Sequence, residues 1–177
     1  MMNTMKTPLA LLSVILLCAA LSAASPRPLR QLPRSPPLDS SSTWNNLMEM
    51  VKDAQAQDRD HETRLIPVIP SEKLRDTSMC CPNIKILRFY LNDILHNESY
   101  SRMQLVRHDL HRVARDLESH CNSHLADLEH FQTFTQNLVR AGEMYKNNIK
   151  AQNKAIGEAN ILFHYLYETC KPPGMKL

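Results

Sequence analysis

The chain has 177 residues, of which 43% are hydrophobic and 22% charged, and this length and balance suit one globular domain. Only three residues are glycine, and long runs contain neither glycine nor proline, so the composition favours an all-α fold. The net charge of +3 comes from the start of the chain: without Lys6, Arg27, Arg30 and Arg34, 17 basic residues stand against 18 acidic ones. The remainder is near neutral, which argues against a basic face for nucleic acid.

Residues 1–24 have the pattern of a secretory signal peptide. Lys6 supplies a positive charge, residues 9–21 an apolar segment, and residues 22–24 (Ser-Ala-Ala) a cleavage site. The apolar segment is short for a bilayer span, so a membrane anchor is the weaker interpretation. We therefore expect a secreted, extracellular protein that begins near Ser25. Cys18 is lost with the leader, and the four remaining cysteines are expected to form disulfides.

Residues 25–39 are predicted to form a mobile N-terminal arm, because the segment holds five prolines and three arginines with little to bury. A proline-rich ligand motif and a heparin-binding patch are the alternatives for this arm. The helical domain is predicted to cover residues 40–177.

The first helix is predicted to begin near Ser40, where hydroxyl groups can cap it, and to end near Gln57. Its buried stripe would consist of Trp44, Leu47, Met48 and Val51. Residues 58–70 are first charged and aperiodic, then apolar and interrupted by two prolines, which predicts a long connecting loop. Connections of this length often carry function.

Residues 71–74 predict a short capped helix, and Cys80-Cys81-Pro82 opens a strongly amphipathic helix that ends near His96. Asn97 follows in an Asn-Glu-Ser sequon, the only such sequon of the mature chain. It is therefore a candidate glycosylation site.

Three further helices are predicted at residues 101–120, 123–146 and 148–170. In the last, Lys154, Gly157 and Glu158 fall off the apolar stripe and are predicted to face outward. If the helices alternate in direction, all four cysteines meet at one pole of the bundle. A bridge between the adjacent Cys80 and Cys81 is disfavoured by geometry, and the spacing leaves the other two pairings open.

Catalytic and metal sites find little support in the sequence. His120, Cys121 and His124 have a spacing that could bind zinc, but this site would need a free thiolate in a chain whose cysteines pair. No phosphate-binding glycine loop or paired-carboxylate motif is present. We predict that the protein is not an enzyme and needs no cofactor or metal.

The string Lys-Ala-Ile-Gly-Glu at residues 154–158, followed by an aliphatic run and a cysteine, resembles the last helix of the interleukin-10 family of cytokines. Residues 86–91 after the paired cysteines and Arg64-Leu65-Ile66 in the long loop are similar to the same family. The resemblance implies a six-helix cytokine bundle with its disulfides at one pole. It also implies a pairing in which Cys80 bonds to Cys170 and Cys81 to Cys121.

The resemblance further implies that the protein brings two class II cytokine receptor chains together and triggers JAK/STAT signalling. By similarity, a high-affinity chain would meet Glu62, Arg64, Lys154, Gly157 and Glu158. A shared chain, like the interleukin-10 receptor beta chain, would meet the helices at residues 40–57 and 101–120, and a soluble binding protein is a further candidate partner.

The branch of the family stays open at this point, because the adjacent Cys80 and Cys81 look more like the interleukin-19 and interleukin-20 branch, and interleukin-26 is a further alternative. Target cells and the choice between a monomer and an intertwined dimer also stay open. Two other classes compete: a secreted helical carrier needs an apolar cavity, and a membrane-active defence protein needs a basic amphipathic face.

Overall fold

The computed structural model describes residues 34–96, 100–119, 121 and 128–171, and within these ranges it contains helices and loops but no strand. The prediction of an all-α bundle is confirmed. The helices are α1 (Pro36–Asp39), α2 (Ser41–Ala56), α3 (Cys80–Phe89), α4 (Met103–Glu118), α5 (Leu128–Tyr145), α6 (Asn148–Gly157) and α7 (Ala159–Thr169). Short 3₁₀ turns at Lys73–Arg75 and Thr77–Met79 lead into α3, which continues as a wider π turn over Tyr90–Ile94.

Helix α2 begins where the hydroxyl cluster predicts, since the Ser40 side chain accepts a hydrogen bond from the backbone N–H of Thr43 at 3.3 Å. Its buried stripe matches the prediction at Leu47 and Val51, whereas Trp44 is only half-buried. Met50 is fully buried and Met48 only half-buried, because Met50 is three residues from Leu47 and lies on the same side of the helix.

The predicted mobile arm is wrong for its last residues, 34–39. Pro36 and Pro37 pre-set the backbone for the first turn of α1, and the apolar Leu38 is fully buried. The indole N–H of Trp44 donates to the Leu38 carbonyl at 2.9 Å, and the Ser35 hydroxyl donates to Asp116 at 2.7 Å. The signal peptide and the rest of the arm, residues 1–33, lie outside the described residues.

The predicted helix at residues 148–170 is two helices, α6 and α7, that meet at Glu158. The side chain of Asn147 caps α6 by accepting from the backbone N–H groups of Ile149 and Lys150, at 2.9 and 3.2 Å. In α5, Phe134 is fully buried, whereas Leu128 at the start of the helix is 49% exposed.

The core lies between α2, α3, α4, α5, α6 and α7, with aromatic side chains at its centre. Tyr90 stacks on Phe134 with 5.6 Å between ring centres, and its hydroxyl donates to the carbonyl of Ala155 at 2.8 Å. None of the described helices is both long and apolar enough to cross a membrane.

Two disulfides lie at the end of the bundle where α3 begins. Cys80 bonds to Cys170 after α7, and Cys81 bonds to Cys121 after α4, which is the pairing that the family resemblance implies. The bonds join residues 90 and 40 positions apart, so they tie α3 to both α7 and α4 at one pole.

Candidate functional site

A groove of about 450 Å³ lies between the loop at residues 58–64 and the junction of α6 with α7. We call it the loop groove. All five residues that the resemblance assigns to a receptor line it: Glu62, Arg64, Lys154, Gly157 and Glu158. Residues from two segments about 90 positions apart are therefore brought to one place.

Lys154 is buried, with 6% of its surface exposed, although periodicity predicts that it faces outward. Its ammonium group donates to the carboxylate of Asp58 at 2.8 Å and to the backbone carbonyl of Asp60 at 2.6 Å. The loop folds back over this side of α6 and covers it. Lys154 therefore anchors the first part of the loop from inside the protein.

Glu158 is also buried, with 8% exposure, and it lies at the break between α6 and α7. Its carboxylate accepts from the backbone N–H groups of Leu65, at 3.0 Å, and Ile66, at 2.9 Å. Burial raises the pKa of Glu158, while these two N–H groups and the nearby Lys154 act in the opposite direction. Among the ion pairs of the described residues there is none between Lys154 and Glu158, so each of them holds the loop instead.

Asp60 shapes the turn between these two anchors. Its Oδ1 accepts from the backbone N–H groups of Glu62 and Thr63, both at 3.0 Å, and its Oδ2 accepts from the Tyr145 hydroxyl at 2.6 Å. Hydrogen bonds from Thr63 and Tyr145 hold the pKa of Asp60 far below its usual range. The sequence argument missed Asp58, Asp60 and Tyr145, although an aspartate in a short polar loop is a known turn signal.

Arg64 is exposed, as expected of a residue that contacts a partner, but its guanidinium group is partly fixed. Nε donates to the backbone carbonyl of Ile66 and Nη2 donates to the Tyr165 hydroxyl, both at 2.9 Å. The same hydroxyl accepts from the backbone N–H of Ile69 at 3.2 Å. Arg64 is thus held in one orientation beside Glu62, which is also exposed.

Gly157 packs against α2 of its own chain. A Cβ atom at this position would lie 3.3 Å from Cγ of Gln55, and the Gln55 amide donates to the Gly157 carbonyl at 2.8 Å. The close backbone approach that makes glycine useful here is therefore internal. A role of Gly157 in receptor binding stays a prediction.

Of the other candidate residues, Asn97, His120 and His124 lie outside the described residues. Cys121 is bonded to Cys81 and has no free thiol for zinc or for nucleophilic attack. Within the described ranges no group of three or more His, Cys, Asp or Glu side chains could hold a metal ion.

A comparison with solved structures finds the crystal structure of zebrafish interleukin-22 with a TM-score of 0.68. The two sequences are 38% identical, and the match covers 78% of this chain and 98% of the zebrafish chain. Neither the known protein-family models nor the curated proteins that were compared give a match. The motif at residues 154–158 resembles interleukin-22 in particular, in agreement with this match. Identity at this level over almost all of the zebrafish protein shows that the chain is an interleukin-22-like member of the interleukin-10 family of helical cytokines.

Proposed function

We propose that the protein is a secreted ligand that binds two class II cytokine receptor chains and triggers JAK/STAT signalling. The high-affinity chain would be similar to the interleukin-22 receptor and the shared chain to the interleukin-10 receptor beta chain. A soluble binding protein that uses the same face is a further candidate partner. The observation that carries the proposal is the loop groove, where the residues implied by the family resemblance line one surface.

Within this groove the five residues would have two different roles. Glu62 and Arg64 are exposed and can touch a receptor, whereas Lys154 and Glu158 are buried and bond to the loop. We assign Lys154 and Glu158 as positioning residues that hold the loop in its binding shape. A loop ordered before binding loses less entropy on binding, so its affinity is higher.

Arg64 is the residue that we expect to contribute most to high-affinity binding. Its planar guanidinium suits carboxylates, and arginine is frequent among the residues that dominate interfaces. In a titration of the mature protein onto receptor ectodomains, Arg64→Ala should weaken binding by about 2 kcal/mol, or roughly 30-fold. Arg75→Ala, at an exposed position in a 3₁₀ turn, is the matched control. No saturable binding to any interleukin-10-family receptor would refute the proposal.

The shared chain is proposed to meet α2 and α4. Leu105 of α4 is 50% exposed. Arg102, the residue directly before α4, forms an ion pair with Glu49 of α2 at 2.7 Å. A single exposed leucine is ordinary on a protein surface, so the proposal for this face rests on the family resemblance and Leu105 serves as its probe. Leu105→Glu should reduce recruitment of the shared chain while high-affinity binding stays unchanged.

Secretion and glycosylation are proposals from the sequence. N-terminal sequencing of the secreted protein should find a start near Ser25, and a start before residue 9 would refute cleavage of the leader. Treatment with a glycosidase should lower the mass of the wild-type protein but not that of Asn97→Gln.

A further inference from the structure

A second groove, of about 350 Å³, lies where the end of the α3 segment meets the outer face of α4. Among its described lining residues none is acidic, and four can carry a positive charge: His96, Arg107, His108 and His111. We call it the basic groove. It lies in a chain whose helical part is near neutral, so its positive character is local.

The basic groove continues along α4 as a row of cations. Arg107, His111 and Arg115 are four residues apart, which places them on one side of the helix with steps of about 6 Å along its axis. His111 and Arg115 are exposed, and Arg107 is half-buried. A linear row of this kind suits a linear ligand better than a single small ion.

Nearby carboxylates leave the two arginines of the row uncompensated, whereas the His108 ring lies 3.4 Å from the carboxylate of Asp109 and pairs with it when protonated. Glu118 forms an ion pair with Arg88 of α3, and Asp109 accepts from the Thr43 hydroxyl of α2 at 2.6 Å. Among the ion pairs of the described residues none includes Arg107 or Arg115. The buried Nε of Arg107 also has no hydrogen-bond partner within the described part of the protein.

We propose that the basic groove and the cation row of α4 bind a sulfated polysaccharide chain. Sulfate groups accept hydrogen bonds from the guanidinium fork, and a polysaccharide carries them at intervals along its length. A single-stranded nucleic acid is best held by large aromatic side chains on which its bases stack, and the described lining residues of the groove include no Phe, Tyr or Trp. This binding does not depend on the high-affinity contact proposed above, because the basic groove and the loop groove have no lining residue in common. It shares α4 with the proposed shared-chain contact, but Arg107 is two residues from Leu105 and so projects from a different side of the helix.

Binding should strengthen in mildly acidic solution, because three of the four positive groups are histidines. Burial and the charges of Arg107, Arg88 and His108 lower the pKa of His111, so it gains its proton below the usual range. Among the described residues, the charges that act on His111 are Arg88 of α3 with Arg107 and His108 of α4, and His96 lines the same groove. The carboxylates of Asp109 and Glu118 pair with His108 and Arg88. We expect tighter binding at pH 5.5 than at pH 7.4.

The test measures binding of the mature protein to immobilised heparin at physiological salt. Replacing both Arg107 and Arg115 with glutamine should weaken binding at least tenfold. The matched control replaces Arg140 of α5 and Lys150 of α6, which removes the same charge from exposed positions elsewhere and should change affinity less than twofold. Desulfated heparin should not bind.

A variant that combines His108→Asn with His111→Asn tests whether histidine protonation strengthens heparin binding at low pH. It also provides a second test of the proposal if the double arginine variant fails to fold. It should bind as the wild type does at pH 7.4 and show a clearly smaller gain at pH 5.5, since it keeps His96 but lacks the other two histidines that line the groove. Equal losses in the arginine variant and the control would overturn the proposal, as would an unchanged gain at low pH in the histidine variant. Preference for a DNA duplex of equal charge over heparin would assign the surface to nucleic acid and also overturn it.

Discussion

Replacing Glu158 with alanine should cost about 3 kcal/mol of unfolding free energy, although the residue lies in a groove proposed to bind a receptor. Its carboxylate accepts from the N–H groups of Leu65 and Ile66, which are both fully buried. A hydrogen bond to a charged group contributes about 1.5–3 kcal/mol, and a buried donor without a partner costs about 1–3 kcal/mol. The loss of these two hydrogen bonds outweighs the gain from no longer burying a carboxylate. That burial is unfavourable, since it raises the pKa of Glu158.

Glu158→Gln provides a graded comparison, because one side-chain oxygen can still accept from the loop. This variant should lose only about 1 kcal/mol. Glu143→Ala, at an exposed position on α5, is the matched control and should change stability by less than about 0.5 kcal/mol.

Denaturant titration measures the unfolding free energies, and amide hydrogen exchange at Leu65 and Ile66 locates the effect. Exchange at these two amides should accelerate in Glu158→Ala far more than exchange in the core of α3. If Glu158→Ala is as stable as Glu143→Ala and its loop amides remain protected, the carboxylate does not hold the loop.

The other predictions concern the turn at Asp60 and the second disulfide. The folded-state pKa of Asp60 lies below its unfolded value of about 3.9, so its stabilisation is complete above that pH and is lost as the pH falls through the folded value. Asp60→Asn should therefore lose less stability between about pH 4 and pH 2 than the wild type does, as measured by thermal unfolding. Tyr145→Phe removes the 2.6 Å bond to Asp60 and should lower the unfolding free energy by no more than about 1 kcal/mol. Replacing Cys81 and Cys121 with serine should cost about 4 kcal/mol in the chain-entropy model, and a variant that unfolds at the wild-type denaturant midpoint would contradict it.

The sequence was a reliable guide to the helices, because apolar periodicity shows where they run and capping residues show where they begin. The Ser40 cap of α2 and the Asn147 cap of α6 both lie within one or two residues of the predicted boundaries. The break at Glu158 was missed, because the apolar stripe continues through it and Gly157 was interpreted as an outward-facing residue of one continuous helix, not as a helix end. The contacts of Glu158 with a distant loop also leave no local signal in the sequence.

Periodicity also failed for the polar residues of α6, for a physical reason. A hydrophobic stripe identifies the face that packs on the apolar core, and it assigns every other face to solvent. Lys154 and Glu158 face a second buried surface made by the polar loop, whose sequence has no period. Such burial could be predicted only by knowing that residues more than 90 positions apart meet. Arg64 came only from the family resemblance, and its role in receptor binding stays a prediction.

The burial of two charged residues in the loop groove is easier to understand from loop order than from stability. A buried ion pair often adds little net stability, since desolvation offsets much of the attraction. Here Lys154 holds the chain at Asp58, and Glu158 holds it again at Leu65, so the residues between are anchored at both ends. Fixing a backbone costs about 1–2 kcal/mol per residue, so ordering six residues only on binding would cost on the order of 6–12 kcal/mol. That exceeds the roughly 2 kcal/mol expected from one strong contact residue. Loss of either anchor should therefore weaken receptor binding even though neither side chain needs to touch the receptor.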